Sequence, residues 1–287
     1  MPAKRFAALS VVALLACQDF GKLTIVNSLP LSLREISGIE MTPQSPLLWA
    51  IADSENEPVV YGYNPNNNQV ERTIRLKGTA NKDWEDIATS PDGRLFVGDF
   101  GNNGNKRKDL VIYHIPPPST VKKATVKPIA THFSFEDQTE YPPKKKDRNF
   151  DVEAFIFANN NFYLFTRNRS SHFNGLTKVY RVPAKTGTYS AKPITTFKTC
   201  NNKGACQVTG ASVHHPSGQV ALLGYDKVWL LSGYKNEAFF KGKVTKIALG
   251  HASQKESICF KDKNTLFIAD ELTQFTGGNL YTLTLKP

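Results

Sequence analysis

Long apolar runs are missing from almost the whole chain, and with them any candidate membrane helix. The one continuous stretch, Phe6–Ala16, is too short to cross a bilayer. Cysteine is scarce, at four residues, and no Cys or His pair is followed by a second at zinc-ligand spacing, which argues against a structural zinc site. No segment carries a sustained helical period bounded by caps, which excludes an α-rich fold. A glycine-rich phosphate loop and a nucleophile with a neighbouring general base are lacking as well. Acidic residues are outnumbered, 25 against 36 Lys+Arg, for a formal charge of +11. The excess is dispersed except at Lys106–Lys108 and Lys144–Lys146. No aromatic side chains interleave those runs, so nucleic acid is not an expected partner.

What is present begins with a leader. Met1–Arg5 is a cationic n-region and Phe6–Ala16 an apolar h-region, so residues 1–16 read as a signal peptide. The run Leu14-Leu15-Ala16-Cys17 resembles the bacterial lipobox. That resemblance implies lipidation of Cys17, a tether over 17–21, and an exported, membrane-anchored protein of the cell envelope. Gln18 after the cysteine points to the outer membrane. Cys200 and Cys206 flank a turn-rich loop and are expected to form a local disulfide in an oxidising compartment. Cys259 reads as a small buried hydrophobe.

Residues 22–287 carry one pattern five times: Glu35–Ile39 (EISGI), Asp83–Ile87 (DWEDI), Asp151–Phe155 (DVEAF), Gln207–Ala211 (QVTGA) and Gln254–Ile258 (QKESI). Each copy is followed by a turn and a β-rich run. Repeats of short strands at this period predict an all-β, five-bladed β-propeller in a single domain, six blades being the alternative. The fifth copy runs out one strand short, and Lys22–Val26 is available to join the last blade and close the ring. The long interval at Asp137–Asn149 reads as a loop. A monomer is expected.

Equivalent positions of the copies should converge at one mouth of the central channel. The third residues of the pattern are Ser37, Glu85, Glu153, Thr209 and Glu256; two positions earlier stand Glu35, Asp83, Asp151, Gln207 and Gln254. Asp53, Asp99, Arg167 and Asp270 end the following strands. Clustered carboxylates repel unless a cation sits among them, and all-oxygen ligands suit calcium or magnesium. The functional reading of that mouth is a bound hard divalent cation. Glu35, Asp53, Asp83, Trp84, Asp99, Asn102, Arg107 and Arg167 are candidate ligand-binding residues, Trp84 as a stacking face and Arg107 as an anion contact. His214-His215 aligns with Ser90-Pro91 of the second copy and reads as part of a hairpin turn.

The segments Ile36–Ile39, Leu48–Ser54, Asp83–Ala88 and Gly98–Asn103 resemble bacterial exported propellers of the NHL-like and SdiA-regulated group. More distantly, they are similar to calcium-dependent esterase, lactonase and phytase-like propellers. In those hydrolytic relatives an axial calcium activates the substrate, which would give Glu85, Glu153, Glu256 and Asp270 the role of holding Ca2+. Ser37, Thr209 and Arg167 depart from a full acidic set. The first expectation is a lipid-anchored binding or scaffold module for a protein, glycan or small-molecule ligand. The alternative is a calcium-dependent hydrolase of phosphate esters or lactones.

Overall fold

The computed structural model describes residues 19–274 and 276–285. The leader, Cys17 and Gln18 lie outside them. Twenty-one strands make up nearly all regular structure: β1 Thr24–Ser28, β2 Ile36–Met41, β3 Leu48–Ala52, β4 Val59–Asn64, β5 Gln69–Leu76, β6 Trp84–Thr89 and β7 Leu95–Asp99. There follow β8 Leu110–Ile115, β9 Thr125–Val126, β10 Ile129–Phe135, β11 Asp151–Ala158, β12 Asn161–Arg167, β13 Leu176–Pro183 and β14 Gly187–Lys198. The last are β15 Gly210–His214, β16 Gln219–Gly224, β17 Lys227–Ser232, β18 Lys243–Ala248, β19 Lys255–Asp262, β20 Thr265–Asp270 and β21 Asn279–Thr284. No described helix is long and apolar enough to cross a membrane.

The strands are rich in Val, Ile, Phe, Tyr and Thr, which suit a pleated, half-buried surface. Turn chemistry separates them. Asn159 and Asn160, at φ 49° and 55°, form the two-residue link between β11 and β12, a turn that needs positive φ at both positions.

The order is propeller-like. Antiparallel four-stranded units follow one another: β2–β5; β6, β7, β8 and β10; β11–β14; β15–β18; and β19–β21 with β1 as outer strand. The β1–β21 ladder runs from Thr24↔Thr282 to Ser28↔Asn279, so the strand supplied by the amino-terminal side is Thr24–Ser28, shifted by two residues from Lys22–Val26. The first strands adjoin in a cycle, β2 to β6 to β11 to β15 to β19 and back to β2.

The core is a set of seams between successive units. Trp49 and Ile51 meet Trp84 and Ile87; Phe96 and Phe100 meet Phe155 and Phe162. Tyr163 and Phe165 meet Val220 and Trp229, Leu223 meets Ile258, and Cys259 and Phe267 meet Ile36 and Leu48. Each fully buried Leu or Phe in a seam contributes about 1.5–3 kcal/mol. Cys259 is indeed an inert wall residue, fully buried with its thiol pushed further up by burial.

Two pairings were not foreseeable from local pattern. β9 adds in parallel to β5, and the Gly187–Ala191 half of β14 pairs in parallel with β10, joining two units into one eight-stranded sheet. The Asp137–Asn149 segment is a connection with one short turn of 3-10 helix at Lys145–Asp147.

Candidate functional site

Four of the five inner strands break register at the same place. Ile36 pairs with Ala52 and Gly38 with Ile51, leaving Ser37 opposite nothing. The same skip isolates Glu85, Glu153 and Glu256. In the remaining unit Thr209 N–H donates to Leu223 O, beside the Gly210↔Leu223 pair. A β-bulge inserts one residue and re-aims its side chain. Here it turns Ser37, Glu85, Glu153 and Glu256 into one cavity of about 310 Å³. Thr209 stays out, its hydroxyl donating to Lys255 O at 2.6 Å.

The cavity has two unlike halves. In one, carboxylates are neutralised. Glu153 lies between Arg167 Nη1, 2.9 Å away, and Arg169 Nη2, 2.7 Å away, while Arg169 Nε also pairs with buried Asp151. Arg167 further donates to Gln207 Oε1 and to Tyr225 Oη, and Tyr225 donates to Glu256 Oε1 at 2.9 Å. Burial alone would lower the Arg167 pKa; Glu153, Tyr225 and Glu256 more than reverse that.

In the other half, Asp53, Asp83 and Glu85 bring carboxylate oxygens within 4.8 Å of one another. Among the described residues no Lys or Arg is ion-paired to any of the three, and the Glu85 carboxylate accepts no hydrogen bond. Desolvation, then Asp53, pushes Asp83 up to about 7. Desolvation, then Glu153, Asp53 and Asp83, holds Glu85 well above the usual carboxylate range. Burial also raises Asp53, although the Ser54 N–H pulls it back. Glu271 joins the wall and is pushed up to about 8 by burial, Asp53 and Glu35.

Two features leave room beside these groups. A Cβ at Gly101 would collide with Glu85 Oε1 and with the Asp83 carboxyl. Ser37, 2% exposed and on the cavity wall, has a hydroxyl without a hydrogen-bond partner among the described residues. An all-oxygen donor set without an ion-paired Lys or Arg among the described residues, backed by an uncommitted hydroxyl, fits a hard divalent cation.

Several predicted site residues stand elsewhere. Asp270 is fully buried and spent on Ser253, the Asn279 N–H and Tyr281, so it leaves the metal set. Asp99 accepts from Lys82 N–H, Asp83 N–H and Arg107, and Arg107 is further held by Asp109 and Gly101 O. Asn102 is a loop brace, accepting from Lys106 and Arg107 N–H and donating to Phe150 O. Trp84 is fully buried in a seam and offers no stacking face. Glu35 sits at the rim and accepts from Asn56.

The reason is one residue of register. Asp99 pairs with Trp84 and Asp270 with Lys255, one step before the bulge. The mouth is reached one residue further along, by Asp53, Arg167, Tyr225 and Glu271, while in the second unit Phe100 turns into the seam instead. Alternate residues of a strand face opposite sides. Taking Asp99 and Asp270, which end their strands, as mouth residues therefore selected the wrong column. Tyr225, Arg169, Glu271 and Asn103 went unrecognised; Tyr225 and Glu271 each directly follow a strand end, which is the signal that locates them.

No protein-family model matches the sequence, and no curated protein matches it. Similar solved structures include a gluconolactonase from Xanthomonas campestris, 11% identical, with TM-score 0.47 over 88% of this chain and 72% of that one. The PQQ-bound aldose sugar dehydrogenase of Streptomyces coelicolor is 11% identical, with TM-score 0.48 over 92% and 98%. The β-propeller domain of Cps50 (Swd1) from Myceliophteria thermophila is 9% identical, with TM-score 0.41 over 88% and 84%. Likeness at this level transfers no ligand and no reaction.

Proposed function

We propose that the chain is a five-bladed β-propeller of the bacterial cell envelope, anchored through Cys17, that binds a small polar ligand at a mouth holding a hard divalent cation. The observation that carries the cation is the approach of Asp53, Asp83 and Glu85 to within 4.8 Å without a basic partner among the described residues. Calcium suits the donors, because carboxylate and hydroxyl oxygens from separate strands and the loops beside them suit its variable coordination. Residues 1–16 act as the exported leader, and the Cys200–Cys206 pair, with Cα atoms 5.4 Å apart, suits an oxidising compartment. A cavity of about 310 Å³ admits a small ligand rather than a folded partner.

The test is thermal unfolding of the mature domain in EGTA and with added calcium or magnesium. A ligand present at a hundred times its Kd stabilises by about 2.7 kcal/mol. An unchanged midpoint with both cations sinks the proposal.

One observation favours a second reading, a cation-dependent hydrolase of phosphate esters or lactones. Asp83 and Glu271, pushed to about 7 and about 8, could exchange protons near neutrality. A bound cation would supply polarisation of the substrate oxygen. Asp53, Asp83 and Glu85 would hold it, and Glu271 would hold the proton. Turnover of simple phosphate monoesters and lactones, with and without EGTA, separates this reading from plain binding: a stabilising cation with no turnover leaves binding alone.

A further inference from the structure

The repeats supply an internal control at the second residue of the pattern. Four copies place an apolar, fully buried residue there: Ile36, Trp84, Val152 and Val208. The fifth places Lys255, equally buried. An ammonium in a slot that otherwise takes Ile, Val or Trp is costly unless its donors are met. Lys255 Nζ donates to Ser253 Oγ at 2.7 Å, lies 3.0 Å from His251 Nδ1, and reaches the Tyr225 and His251 carbonyls. Ser253 Oγ in turn donates to Asp270 Oδ2 at 2.6 Å.

This chain ends at a second cavity. Ser253 and His251 line a pocket of about 270 Å³ on the seam between the fourth and fifth units, walled also by Phe20, Tyr281 and Leu272. The Phe20 ring lies 5.1 Å from His251 and 5.6 Å from Tyr281, so one side of the pocket is aromatic. Lys255 stands behind Ser253 and His251, out of the pocket lining. None of these groups belongs to the acidic mouth.

We propose that Ser253 is a nucleophile toward small carboxylic esters, Asp270 taking its proton and Lys255 stabilising the developing alkoxide. In the acylation step the Oγ–H bond breaks and the proton passes to Asp270 Oδ2. An Oγ–C bond forms at the ester carbonyl, and the alcohol departs with that proton. Water then cleaves the acyl-serine, releasing the carboxylic acid and restoring the hydroxyl. Tyr281 Oη and the Asn279 N–H fix Asp270 by donating to its two oxygens. Burial lowers Lys255 to about 8 while Asp270 and Asp226 pull the other way, which keeps it a donor at pH 7. Burial, then Lys255, lowers His251, so its Nδ1 is free to accept.

The experiment is covalent labelling of the full-length protein with an alkyl fluorophosphonate, followed by intact-mass measurement and peptide mapping. A single adduct at Ser253, absent in S253A and formed at least tenfold more slowly in K255V, supports the proposal. K255V restores the apolar residue type of the other copies, and K255M keeps the side-chain length should valine leave the slot underfilled. No adduct, an adduct at another residue, or an unchanged labelling rate in a folded Lys255 variant overturns it. Burst release of p-nitrophenol from p-nitrophenyl acetate, lost in S253A, reads the same step without phosphorus.

Discussion

Glu85 and Asp86 are neighbours on one strand, both carboxylates, the first half-buried and the second fully buried, and they do opposite things. Asp86 is fully buried; its oxygens accept from the Ile87 N–H at 2.8 Å and the Phe155 N–H at 2.9 Å, and the Ala211 N–H adds to these. It thereby ties the second, third and fourth units together across the axis. Glu85, displaced by the bulge, meets only other carboxylates. The difference teaches how to tell structure from site: backbone donors complete one acid, while the other is left needing a proton or a cation. Glu40, deeper on the axis, falls between them. It has the Met41 N–H and Ser212 as partners, and burial pushes it up to about 8.

The contrast breaks hardest at Asp86. D86A leaves at least two buried N–H groups without acceptors, each costing about 1–3 kcal/mol, so urea unfolding should show a loss of about 3 kcal/mol or more. A midpoint near wild type would remove Asp86 from its tying role. E85Q should act in the reverse sense on the cation-free protein. Removing one of several crowded carboxylates raises its melting temperature by about 2 °C, as about 1 kcal/mol does in a domain of this size. The same variant loses at least tenfold in calcium affinity by calorimetry, a result that a purely structural Glu85 would not give.

A further effect is in pH. The folded pKa of Asp83 is raised from 3.8 to about 7, so the folded state holds a proton that the unfolded chain has already released. That contribution is full below about pH 4 and is lost as pH rises through about 7. Cation-free protein should therefore become less stable across this window. Calcium affinity should rise over the same window, because the cation competes with the proton. Opposite slopes, or a cation affinity flat from pH 5.5 to 8, would detach Asp83 from the site.

Much of the fold was legible because strand ends coincide with turn residues. The expected joining strand Lys22–Val26 falls within two residues of β1, Thr24–Ser28, and Asp137–Asn149 is the connection that its length implied. The convergence of Glu85, Glu153 and Glu256 was legible from the repeat alone. The bulge was not, since an extra residue leaves no compositional mark and is defined only by its partner strand. For that reason Asp270 was assigned to the mouth in place of Glu271, Asp99 was assigned to it although it is held by Arg107, and Tyr225 was missed. Arg169 was hidden differently: it lies beyond the end of β12, and only the fold of that loop brings it to Asp151 and Glu153. β9 and the first half of β14 bond to strands distant in sequence, where local pattern has no purchase.

A bulged residue has no counterpart across its ladder, so exchanging Ser37, Glu85, Glu153 or Glu256 leaves every paired position where it was. The lining of the mouth is thus separable from the framework that presents it. Its charge can be rewritten one position at a time, toward a stronger cation trap with aspartate at 37 or toward an anion receptor with lysine at 85, while the surrounding sheets keep their partners.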